Sequence, residues 1–85
     1  CALPISVQLL IQAVEQVPNL QFLVNAAKAI FALMDKKGWD EPLAARAVDY
    51  LQRAQRKDRK SAKVASAREL YVTVAKKYGI ATDNT

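Results

Sequence analysis

Between residues 20 and 34 the chain reads LQFLVNAAKAIFALM, an apolar run interrupted only by Gln21, Asn25 and Lys28. At helical period those three share one narrow stripe, while residues such as Leu23, Ile30, Phe31 and Met34 cover most of the remaining circumference. A helix apolar over so much of its girth has to be packed on several sides, which predicts a central post in a helical bundle. Upstream, Val7, Leu10, Ile11, Val14 and Val17 recur at three- and four-residue spacing, with Gln8, Gln12, Glu15 and Gln16 opposite. This predicts an amphipathic helix over residues 5–17, with Pro4 in its first turn. Pro18 breaks it, leaving a tight hairpin or a kinked continuation as alternatives, and Asn19 is the expected N-cap of the next helix.

The central helix is predicted over residues 20–37 and stops at Lys36-Lys37-Gly38-Trp39. Gly38 suits the left-handed position after a helix, the lysines complement the helix dipole, and Trp39 is expected to fold back onto Met34. A third helix over residues 42–56 has Leu43, Ala47, Val48, Leu51 and Ala54 as its apolar seam. Asp40 or Glu41 caps it; the bias of pre-proline residues away from helix favours Glu41, with Pro42 at the first helical position. Periodicity returns at Val64, Leu70 or Tyr71, Val74 and Tyr78, predicting a fourth helix over residues 64–78. Ser66-Ala67-Arg68-Glu69 fits a capping box, with Ser61 as the alternative cap. Gly79 and Ile80 make a second helix stop, before a polar tail over residues 81–85. The intervening QRAQRKDRKSAK, residues 52–63, reads as frayed helix, exposed loop or solvated helix. The expected fold is all-α, one compact four-helix domain over residues 1–85 around a central apolar helix.

Composition narrows the chemistry. An 85-residue chain with 52% hydrophobic and 25% charged residues is ordinary for one globular domain, which buries about 60–65% of its unfolded surface. One cysteine and no histidine exclude an internal disulfide, a Cys/His zinc site and an imidazole base. There is no Gly-rich phosphate loop or serine elbow, and Asp40 and Glu41 are better used as caps. No enzyme activity, metal or cofactor is expected. The run over residues 20–34 falls short of the about 20 apolar residues of a membrane span and carries Lys28, so no transmembrane segment is predicted. Cys1 in first place reads as a fragment or processed piece of a longer chain, with a lipid-anchored cysteine as the alternative; an intracellular location is favoured.

Charge changes the picture most. Of the net +5, residues 46–77 hold ten cationic against three acidic side chains, densest in RKDRKSAK at residues 56–63. Such a run binds a polyanion by releasing its counterions, so nucleic acid is the leading expected partner, ahead of an acidic protein and an anionic lipid surface. The candidate contacts are Arg53, Arg56, Arg59 and Arg68, suited to bidentate phosphate binding, with Lys57, Lys60 and Lys63. A solvated, solubilising charge run is the competing reading. A different function, a protein–protein interaction or oligomerisation module, follows if apolar surface of the central helix is left uncovered.

Among the aromatics, Tyr71 and Tyr78 share a helix face and are expected in the core with their hydroxyls at the rim. Trp39 is read as a structural lid, with base stacking as the alternative. Tyr50 falls beside the Leu51 seam, with a half-exposed position as an alternative; standing next to Arg46 and Arg53 there, it could stack a base. The stretch from Val72 to Ile80 resembles the first helix and turn of a helix-turn-helix unit, although Gly79 is more simply a helix stop.

Overall fold

Each helix starts at a residue whose side chain or ring suits a helix end. The computed structural model describes residues 3–82 and contains α1 (Ile5–Gln16), α2 (Leu20–Lys37), α3 (Glu41–Lys57) and α4 (Ala62–Lys77), with no strand among the described residues. Cys1 and the last three residues of the tail, with the readings placed on them, lie outside the described residues.

At α1, Pro4 stands at the N-cap without a side-chain cap bond, and its carbonyl accepts the Gln8 N–H at 3.0 Å. At α2 the Asn19 side-chain oxygen accepts the Phe22 N–H at 2.8 Å. The junction between them is the tight hairpin, since Leu3 and Pro4 line one cavity with Leu33, Met34 and Trp39 from the far end of α2.

Two expected caps are corrected. Asp40, not Glu41, caps α3, its carboxylate accepting the Leu43 N–H at 3.3 Å. The shorter side chain reaches back to the free amides. Pro42, within the first turn, forfeits nothing because those N–H groups have no helical partner. Glu41 instead accepts the Trp39 indole N–H at 2.9 Å. Ser61, not Ser66, caps α4, accepting the Lys63 and Val64 N–H groups at 3.2 and 3.4 Å. A start at residue 62 brings Val64 and Ala67 into the core together, which a start at Ala67 would not. Ser66 sits inside the helix and accepts a hydrogen bond from Lys28 Nζ at 3.2 Å.

The two glycine stops differ. Gly79, with φ 69°, lets Ile80 N–H reach Ala75 O at 2.8 Å and Gly79 N–H reach Lys76 O at 3.1 Å, the paired bonds of a Schellman stop. Gly38 has φ 109° but ψ 159°, so the chain leaves α2 extended and runs straight to Asp40, whose N–H faces Met34 Sδ at 3.4 Å. No helix follows Gly79 among the described residues, so the helix-turn-helix resemblance is not completed there.

The core holds Phe31, Tyr50, Leu23, Ile30, Met34, Leu51, Val14 and Val74, all under 2% exposed. α2 packs against each of the other three helices, and α3 also packs against α4. One edge of α2 reaches the surface through Gln21 and Ala32, with Asn25 and Lys28 half-buried between them. Phe31 stacks on Tyr71 of α4 with ring centroids 5.2 Å apart, and the Tyr78 hydroxyl donates to Asp35 O at 2.8 Å. Ile30 and Phe31 are fully buried, so α2 leaves neither of them for a partner. Apolar surface is exposed on α1 and at its C-cap instead, at Ile5 (68%), Leu9 (57%) and Val17 (50%). The domain measures 30 × 29 × 17 Å, and no described helix is long and apolar enough to cross a membrane.

Candidate nucleic-acid interface

The cations of α3 divide along its length. Near its middle, Arg46 Nη1 lies 3.4 Å from Glu15 Oε2 of α1 and 3.3 Å from the Tyr50 hydroxyl, which itself donates to Glu15 Oε2 at 2.8 Å. Tyr50 is 1% exposed, which overturns the half-exposed, base-stacking alternative. Its ring belongs to the buried core on the side of α3 packed against the bundle, and its hydroxyl is satisfied by Glu15 and Arg46. Burial pushes the Tyr50 hydroxyl pKa up from its ordinary 10.0; Arg46 opposes that shift and Glu15 adds to it. The hydrogen bond with Tyr50, helped by the Glu15 charge, in turn raises the Arg46 pKa.

Two turns beyond Arg46, Arg53 lies 3.5 Å from Asp49 and 6.0 Å from the Tyr50 ring centroid. At the far end of α4, Lys77 Nζ meets Asp35 Oδ1 at 3.0 Å and Asp35 O at 2.9 Å, and that hydrogen bonding raises its pKa.

Past Arg53 the pattern changes. Arg56, Lys57, Arg59 and Lys60 are all exposed and make no ion pair among the described residues. Arg56 and Lys57 occupy the last turn of α3, where the free carbonyls favour positive charge. Arg59 and Lys60 sit in the four-residue connection to α4. Asp58, the one carboxylate of that turn, closes it: its side chain accepts the Lys60 N–H at 3.1 Å and its carbonyl the Ser61 N–H at 3.4 Å. The corner is therefore held by its backbone, with its long cationic side chains outside it.

The seven sequence candidates do not form one cluster. Arg56 and Arg59 come together, lining an open cavity of about 580 Å³ with Gln52 and Gln55. Lys63 turns to α2, where Nζ donates to Gln21 Oε1. Arg68 is half-buried on α4 beside Glu69, Val72 and Thr73, in a separate depression of about 490 Å³. Sequence reasoning passed over Gln52 and Gln55, although Gln52 lies three residues before Gln55 and four before Arg56 on α3.

Comparison with known protein families, with characterised proteins and with solved structures gives no significant match. The functional reading therefore rests on the geometry alone.

Proposed function

We propose that this chain is a non-enzymatic helical domain that binds nucleic acid chiefly through its phosphates. Arg56, Lys57, Arg59 and Lys60 supply the contacts. The observation that carries this reading is the run of four exposed cations without an ion-pair partner among the described residues, in a fold where Arg46, Arg53 and Lys77 each face a carboxylate. Planar guanidinium groups hold phosphate oxygens in pairs, and Gln52 and Gln55 add neutral donors beside them. Four phosphates neutralised on a DNA duplex give a salt slope of about −3.6, so affinity falls about a hundredfold between 50 and 200 mM salt. Replacing Arg56, Lys57, Arg59 and Lys60 together by alanine flattens that dependence and leaves the helical circular dichroism unchanged. Wild-type binding that ignores salt, or survives the four substitutions, removes the proposal.

The second reading, a protein–protein interaction or oligomerisation module, is favoured by the exposed Ile5 and Leu9 on α1 and Val17 at its C-cap. Sedimentation separates the two. A stable dimer that Ile5→Ser with Leu9→Ser dissociates, without nucleic-acid affinity, supports the module; a monomer with strong low-salt binding supports the phosphate-binding domain.

A further inference from the structure

We infer that the corner between α3 and α4 binds double-helical DNA in preference to a single strand; this rests on the phosphate-binding reading above. The ground is where the aromatic side chains lie. The chain has six, and none is exposed. Phe31 and Tyr50 are buried, and Phe22, Tyr71 and Tyr78 are packed against the core. Trp39 is half-buried, bonded to Glu41 and placed before the first residue of α3, whereas the cationic corner follows its last. Seventeen helical residues at about 1.5 Å each put roughly 25 Å between them.

A protein that holds single strands stacks their bases on exposed aromatic rings, each stack contributing about 1–3 kcal/mol. This corner has cations and amides but no exposed ring, so a single strand gains from it only what its phosphates supply. Those phosphates are also the poorer ligand. A duplex carries one charge per about 1.7 Å of axis, and each neutralised phosphate contributes about 0.9 to its salt slope, against about 0.7 for a single strand. For four contacts the slopes differ by about 0.8, which from equal affinity at 1 M salt grows to about tenfold in favour of the duplex at 50 mM. Asp58 and Ser61 hold the backbone of this corner, and Arg56 and Arg59 line one open cavity on it, so the cations are presented together to a regular row of phosphates.

The test titrates the chain with a fluorescently labelled twenty-base-pair DNA duplex and, separately, with each of its strands, between 50 and 300 mM salt. The expected result is a duplex bound about tenfold tighter at 50 mM with the steeper salt slope, and a preference lost when Arg56, Lys57, Arg59 and Lys60 become alanine. A strand bound as tightly as the duplex, or tighter, overturns the inference while leaving phosphate binding standing. Binding of neither overturns the phosphate-binding reading, and the inference with it.

Discussion

Arg46 and Arg59 belong to one basic stretch of sequence, yet the fold uses them differently. Arg46 reaches across to α1, where it shares Glu15 with the Tyr50 hydroxyl and helps seal a buried ring. Arg59 stands on a turn whose single acid is occupied in closing the backbone, and faces no carboxylate among the described residues. Lys77, on Asp35, behaves like Arg46; Arg56, Lys57 and Lys60 behave like Arg59. A net charge of +5 therefore mixes cations that face a carboxylate with cations that face none among the described residues. Only the open ones can serve the proposed polyanion binding.

The strongest way to break this contrast is to remove what the committed cations surround. Tyr50→Ala empties a fully buried site and strips Glu15 and Arg46 of their partner, and is expected to lower unfolding free energy by about 3–5 kcal/mol in urea titrations. Alanine at Arg56, Lys57, Arg59 and Lys60 has the opposite profile. Each exposed substitution changes stability by no more than about 0.5 kcal/mol, so the four together change it by at most about 2, while affinity for duplex DNA at 50 mM salt falls by more than about a hundredfold.

Smaller changes sharpen the picture. Ser61→Ala removes the α4 cap and is expected to destabilise by about 1 kcal/mol, against under about 0.5 for the exposed Ser66→Ala; equal effects would restore the capping box at Ser66. The gentlest probe is alkaline pH. The folded-state pKa of Tyr50 lies above its unfolded value near 10.0, so its contribution is complete below pH 10 and is lost as pH rises through the raised value. The thermal midpoint should drop above pH 10, and Tyr50→Phe, itself costing about 1 kcal/mol at neutral pH, should make that drop shallower.

Much of the fold was legible in the sequence because apolar periodicity and helix-end residues are local signals. Val7 and Val14, the residue 20–34 run and the Leu51–Ala54 seam mark three helices, and Asn19 and Gly79 mark ends that the structure uses. The misread caps are competitions that local rules leave close. Asp40 prevails over Glu41 by side-chain reach, and Ser61 over Ser66 because Val64 and Ala67 need burial together. The fate of Tyr50 was not legible, since Glu15 lies 35 residues earlier and meets it only after α1 folds back. For the same reason the basic stretch could be found but not divided. Ion pairs such as Lys77 with Asp35 span 42 residues, and nothing beside Lys77 announces them.

Two charge-matched variants test the contrast most directly. One carries glutamine at Arg56, Arg59 and Lys60, the other at Arg46, Arg53 and Lys77; each loses three positive charges. Exposed ion pairs contribute about 0–1 kcal/mol apiece, so both should stay folded. The measurement is the slope of log affinity for duplex DNA against log salt. The first variant should lose about 2.7 from the slope and the second less than about 1. Equal losses would mean that binding follows total charge, and would contradict a dedicated site at the turn between α3 and α4.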